Sequence, residues 1–214
     1  MIMNSLRTEI DIFNFKSRIE TKLGGISMDK KSSDELNTEQ VLQAVQNFAR
    51  DRQIEDIVVA STTGSTGVKA TEIFDARETN LVVVGHSSGF REPNHDEFNE
   101  GARTTIEDRG GKVFIGPMIF HNLNAALGKE ENYSPGNAVA DTLRLFGQGT
   151  KVALECVLMA VDAGLVESGT PVVSVAGTSS GADTALLIHS SNSKRFYEAR
   201  IRKTILKPSE AENL

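Results

Sequence analysis

Apolar residues along this chain come in two spacings that trade places at regular intervals. Val41, Leu42, Val45, Phe48 and Ala49 recur at the helical period, with Thr38 as the expected cap. A continuous apolar run, IVVA at 57–60, follows. It stops at the polar stretch STTGST, after which residues 69–76 predict a helix whose start lies near Ser65 or Thr66. The alternation then repeats: LVVVG at 81–85, HSSGFREPNHD, a helical stretch over 96–109 closed by Gly110-Gly111, and KVFIG at 112–116. A longer section predicts helices over 121–127, 137–146 and 150–163, the last closed by Gly164. Its segment KVALECVLMAVDA is apolar nearly all round and is expected to be buried. VVSVAG at 172–177 and TALLIH at 184–189 read as further strands, and the tail ARIRKTILKP alternates apolar and basic residues at the strand period.

Strands that are apolar on both faces and alternate with helices predict a mostly parallel sheet covered on both sides. The expected fold is therefore three-layer α/β/α over residues 37–208, with the C-terminal strand antiparallel at one edge. Residues 1–36 read as a poorly defined arm, in which IDIFNF fits a short strand and LGGISMDKKSSDELN a polar linker. Residues 209–214 read as a tail. A length of 214 residues fits one principal core.

Composition narrows the class of partner. At 39% hydrophobic and 24% charged the chain is ordinary for a globular domain. No window reaches the ~18 consecutive apolar residues of a membrane helix, so no membrane partner is expected. The first residues, MIMNSLRTEIDIFNFKSR, scatter charge and lack the compact apolar core of a signal peptide. The single cysteine, Cys156, leaves no intrachain disulfide to form; both features point to a cytoplasmic location. A net charge of −6 with no long basic block argues against nucleic acid. The local cluster Lys194, Arg195, Arg200, Arg202 and Lys203 fits a solvated surface.

Three segments just after strand runs share one composition: STTGST, HSSG and GTSSGAD. Loops at the carboxyl ends of parallel strands converge on one edge, where ligands bind. A phosphate needs short hydroxyls, glycines that let the backbone approach, and unpaired N–H groups at a helix start. Ser61, Thr62, Thr63, Gly64, Ser65 and Thr66 form the favoured anion cradle. A plain capped turn is the competing reading, because Ser, Thr and Gly also dominate helix caps. No Gly-Lys-Ser/Thr ends the segment and no GxGxxG follows a strand, which argues against a Walker loop and an ordinary dinucleotide fold. His86 and His95, with Glu92, Asp96 and Glu97, match no ligand spacing, and no metal is expected. No GxSxG elbow argues for Ser61 or Ser87 as a nucleophile. Asp183 either caps the GTSSGAD backbone or contacts ligand hydroxyls. Cys156 reads as packing.

The ordered set VVASTTGST, VVVGHSSGFRE, GQGTKVALECVLMAVDAGL, VSVAGTSSGADTALLI and ARIRKTILKP resembles the stand-alone relatives of the C-terminal α/β domain of pyruvate kinase. These are archaeal and bacterial proteins without the catalytic barrel, and the resemblance spans residues 39–208. In the full-length kinase this domain binds a sugar bisphosphate through a Thr/Ser-rich loop after its first strand and a Gly-rich loop near its end. The matching positions here are Thr62, Thr63, Gly64, Ser65 and Thr66 for the first loop, and Gly177, Thr178, Ser179, Ser180 and Gly181 for the second. The kinase's aromatic and arginine residues are absent from that later loop, which would leave a second phosphate without a cationic partner. The stand-alone relatives are associated with flavin mononucleotide (FMN), which has one phosphate and a large ring.

By that resemblance residues 61–66 take the phosphate and Gly177 to Asp183 the ribityl chain. His86, Gly89 and Phe90 flank the ring or its polar edge, with Met118, Phe120 and His121 as secondary wall candidates. The leading expectation is an FMN-binding domain without pyruvate kinase activity. The alternatives are an enzyme using the same cleft on a flavin or a phosphorylated metabolite, and a sugar-phosphate sensor forming a homo-oligomer through the strand Arg200–Leu206.

Overall fold

Helix α1 (Thr38–Asp51) opens the described part of the chain, residues 37–127 and 134–208 of a computed structural model. The arm and tail expected at 1–36 and 209–214 lie outside the described residues. The apolar stripe of α1 is buried as its spacing predicts. Its cap is Asn37 rather than Thr38: the Asn37 carboxamide accepts the Gln40 N–H at 2.9 Å, and Gln40 answers by accepting the Asn37 N–H at 3.0 Å. This reciprocal box satisfies two helix-end donors at once. Thr38 is thereby free for a distant contact, and its hydroxyl accepts the Ala182 N–H at 3.0 Å.

The remaining elements are β1 (Asp56–Ala60), α2 (Ser65–Ile73), β2 (Asn80–Gly85), α3 (Glu100–Asp108) and β3 (Lys112–Ile115). They continue with α4 (Asn122–Leu127), α5 (Pro135–Arg144), α6 (Gln148–Asp162), β4 (Pro171–Ala176) and β5 (Thr184–His189). A 3-10 segment (Ser193–Glu198) then leads to β6 (Arg200–Leu206). Helix α3 begins later than the expected residue 96 because Asn99 caps it, accepting the Ala102 N–H at 2.9 Å.

The strands form one six-stranded mixed sheet in the order β3-β2-β1-β4-β5-β6. Strands β1 to β4 are parallel, while β4–β5 and β5–β6 pair antiparallel. The edge strand β6 is antiparallel to its neighbour as expected. The strand that reverses direction is β5, however, because the short link 177–183 leaves no room for a crossover and must turn as a hairpin. Strand β6 consequently runs the same way as β1 to β4.

Helices cover both faces. Ile57, Val59, Val83, Val173 and Val175 point to the layer of α1, α2 and α3. Val58, Val82, Val84, Val172, Leu186 and Ile188 point to the layer holding α5 and α6. Alternate residues of a strand face opposite sides, so a strand buried on both must be apolar throughout. Each such Val, Leu or Ile contributes about 1.5–3 kcal/mol on burial. Helix α6 is the deepest element of its layer, and Ser174 of β4 donates to its Ala153 carbonyl at 2.9 Å.

The connections decide where a ligand can sit. The chain leaves β1 through α2 toward β2 on one side, and reaches β4 through α6 on the opposite face. Loops after β1 and β4 therefore part from each other at the centre of the sheet, and a crevice opens between them.

Candidate functional site

A cleft of about 490 Å³ lies at this point, at the carboxyl ends of the parallel strands. The loop after β1 makes its first wall, with Ser61, Thr62, Thr63, Ser65 and Thr66 lining it. Gly64 does not line the cleft. It shapes the turn, with φ at +91°, and a Cβ there would lie 2.6 Å from the Ala102 Cβ and 2.9 Å from the Phe98 ring. The Ser61 hydroxyl accepts the Gly67 N–H at 3.4 Å, and the Thr63 hydroxyl donates to Ser65 Oγ at 3.3 Å. Among the described residues, the backbone N–H groups of residues 62–66 donate to no other part of the chain.

The loop after β4 makes the facing wall, with Gly177, Thr178, Ser179, Ser180 and Gly181 lining the same cleft. Its hairpin is tight: a Cβ on Gly177 would fall 2.2 Å from the Gly181 carbonyl oxygen, and Gly181 has φ at +77°. Asp183 does not line the cleft. Its carboxylate accepts the Thr178 N–H at 2.8 Å and the Thr184 hydroxyl at 2.6 Å, so of the two roles open to it the structure shows the capping one.

An aromatic rim comes from the loops after β2 and β3, on the side of β1 away from β4. The His86 and Phe90 rings lie 4.4 Å apart and the Phe90 and His121 rings 5.3 Å apart, all three lining the cleft with Met118. Glu97 organises this rim, holding His86 Nδ1 at 3.0 Å and Arg91 Nε at 2.9 Å. Gly89 stays outside the lining and turns the loop instead, with φ at +75° and its N–H donating to the His95 carbonyl at 2.8 Å. Phe120 is corrected from rim to core: it is buried, edge-on to Phe196 at 5.9 Å, because an apolar ring with no polar handle is better covered than exposed. Ser87 also stays out of the cleft lining, its hydroxyl accepting from Asn122 at 2.9 Å.

The floor was not foreseen. Gln148, Lys151, Val152, Glu155, Cys156 and Met159 lie three or four residues apart on α6, and together present one face of it to the cleft. Lys151 and Glu155 form a buried ion pair whose side chains are only 5% and 3% exposed. The second carboxylate oxygen of Glu155 accepts the Phe120 N–H at 2.6 Å. Reading KVALECVLMAVDA as apolar nearly all round passed over the signal, an opposite-charge pair at i,i+4 inside a core helix. Arg144 also reaches the cleft, held by Asp141 at 2.6 Å and Gln148 at 2.9 Å. With Arg91 and Lys151 it brings cationic side chains to the cleft from outside the later loop, each held by a carboxylate: Asp141, Glu97 and Glu155.

Charge and burial tune two of these groups. Burial holds the His121 pKa below its ordinary 6.5, with the neighbouring Lys151 ammonium acting in the same direction. Burial pushes the Cys156 thiol up to about 12, so it is not a thiolate at neutral pH. Among the described residues no group of three or more His, Cys, Asp or Glu side chains is gathered to hold a metal ion. No helix among them is long and apolar enough to cross a membrane.

No protein-family model matches the chain. The chemistry of the cleft therefore carries the functional reading.

Proposed function

We propose that this domain binds a phosphorylated ligand of the FMN type in the carboxyl-edge cleft, as a stand-alone counterpart of the pyruvate kinase C-terminal domain. The observation that carries the reading is the meeting of two chemistries in one hollow. On one side, successive N–H groups at residues 62–66 have no acceptor among the described residues and stand at the start of α2, where the helix dipole favours negative charge. In the same hollow, Phe90, His86, His121, Met118 and Met159 offer the apolar and aromatic surface a ring needs. Thr178, Ser179 and Ser180 add hydroxyls for a polar chain from the loop after β4. A volume near 490 Å³ falls in the range of cofactor sites.

In this reading FMN supplies a ring that takes up a hydride equivalent. The protein holds the phosphate, orders the ribityl hydroxyls and flanks the ring. A fluorescence titration with FMN and riboflavin tests it: saturable FMN binding is expected at micromolar concentration, with riboflavin weaker because it lacks the phosphate. Replacing Thr63→Val and Ser65→Ala together removes two hydroxyls of the cradle. Hydrogen bonds to a charged group contribute about 1.5–3 kcal/mol each, so FMN affinity should fall at least about tenfold while riboflavin binding changes little. No saturable FMN binding, or an equal loss for both ligands, would overturn the assignment.

A further inference from the structure

The Lys151–Glu155 pair is an expensive feature for a core helix. Removing two charges from water costs free energy that their mutual attraction recovers only with good geometry, and apolar side chains of similar volume would fill the space without that cost. Buried charges facing a cleft are accordingly concentrated at functional sites. Both oxygens of Glu155 are engaged, one by the Phe120 N–H and the other by the Lys151 ammonium. Lys151 has donors to spare. An ammonium has three N–H donors, and among the described residues Glu155 accepts only one of them. The side chain is 5% exposed and lines the cleft. It lies near the aromatic end: its Nζ is 6.0 Å from the ring of the core residue Phe120, whose chain neighbour His121 has its ring 5.3 Å from Phe90.

We infer that Lys151, held in place by Glu155, makes the cleft favour the reduced, anionic form of a bound flavin over the oxidised form. The inference rests on the flavin reading above. A bound flavin that accepted a hydride, two electrons and one proton from a donor oxidised by two electrons, would carry one negative charge on its ring. The Lys151 ammonium could donate a hydrogen bond to either form, and to the anionic form it would add a charge–charge attraction strengthened by burial. Lys151 would be the residue that meets the ring, and Glu155 is a positioning residue.

The test compares oxidised FMN, dithionite-reduced FMN and riboflavin on the purified protein and on three variants. Lys151→Met removes the charge and Lys151→Arg keeps it. Lys151→Met with Glu155→Gln removes both charges while leaving an acceptor for the Phe120 N–H, which guards against a fold lost to an unpaired Glu155. The native protein should bind reduced FMN at least about tenfold tighter than oxidised, raising the two-electron potential of bound flavin by about 30 mV per tenfold. Both Met variants should lose this preference and keep the FMN-to-riboflavin ratio, whereas Lys151→Arg should retain it. A Met variant that loses the FMN-to-riboflavin ratio but keeps the redox preference would place Lys151 on the phosphate and overturn the inference. Variants that change neither ratio would overturn it too. A native protein that binds no flavin in either state overturns the FMN reading itself, an outcome distinct from flavin binding without redox preference.

Discussion

At the scale of single residues, His121 and Cys156 report how far the cleft is closed to water. His121 releases its proton below its ordinary 6.5 because burial disfavours the imidazolium. The unfolded chain therefore binds more protons than the folded one in the window just below 6.5, and stability falls as pH drops through it. Above that window the contribution is fully present. Urea unfolding at pH 7 and pH 5 should show a smaller loss in a His121→Gln variant than in the native protein. Cys156, raised to about 12, should react with a thiol reagent at pH 8 only after denaturation. Rapid labelling of the native protein would show that the α6 face is open to solvent. Both residues were legible as candidates in the sequence, His121 for the ring wall and Cys156 for packing. Neither protonation state was, because each depends on what a distant element lays over the side chain.

At the scale of elements, the turn into α2 shows how backbone chemistry prepares a site. Gly64 has a positive φ and no room for a side chain, whereas Gly164, after α6, has φ at +70° and open space around it. Ala at Gly164 should cost about 1 kcal/mol through backbone strain alone. Ala at Gly64 should cost more, since it adds overlap with Ala102 and Phe98, and it should weaken FMN binding by re-aiming the N–H groups of residues 62–66. Thermal melts of the two variants, with and without FMN, check the difference; equal losses would mean that the turn is not held against α3. The loop's composition was readable from STTGST. The clash was not, because Ala102 and Phe98 come from a different segment.

At the scale of the whole molecule, the Lys151–Glu155 pair sets function against stability. Removing Lys151 alone leaves a buried carboxylate unpaired and should cost about 3–5 kcal/mol of folding stability. The Lys151→Met/Glu155→Gln protein removes both ions and should be as stable as the native one or up to about 4 kcal/mol more so. Denaturant unfolding of both variants measures this. A double variant as unstable as the single one would mean that the pair holds the fold together rather than serving the cleft.

Periodicity along the chain determined where most of the described helices and strands lie, and for the stripe of α1 which face is buried, because spacing against 3.6 or 2 residues is a local property. It likewise placed hydroxyl-rich loops after the strands that end at one rim. Tertiary structure alone decided that β5 is the reversed strand, that Asp183 faces its own hairpin, that Phe120 joins the core, and that α6 turns a charged pair to the cleft. Those outcomes depend on which elements become neighbours, and a helix apolar nearly all round does not state which of its sides will be left open to a ligand.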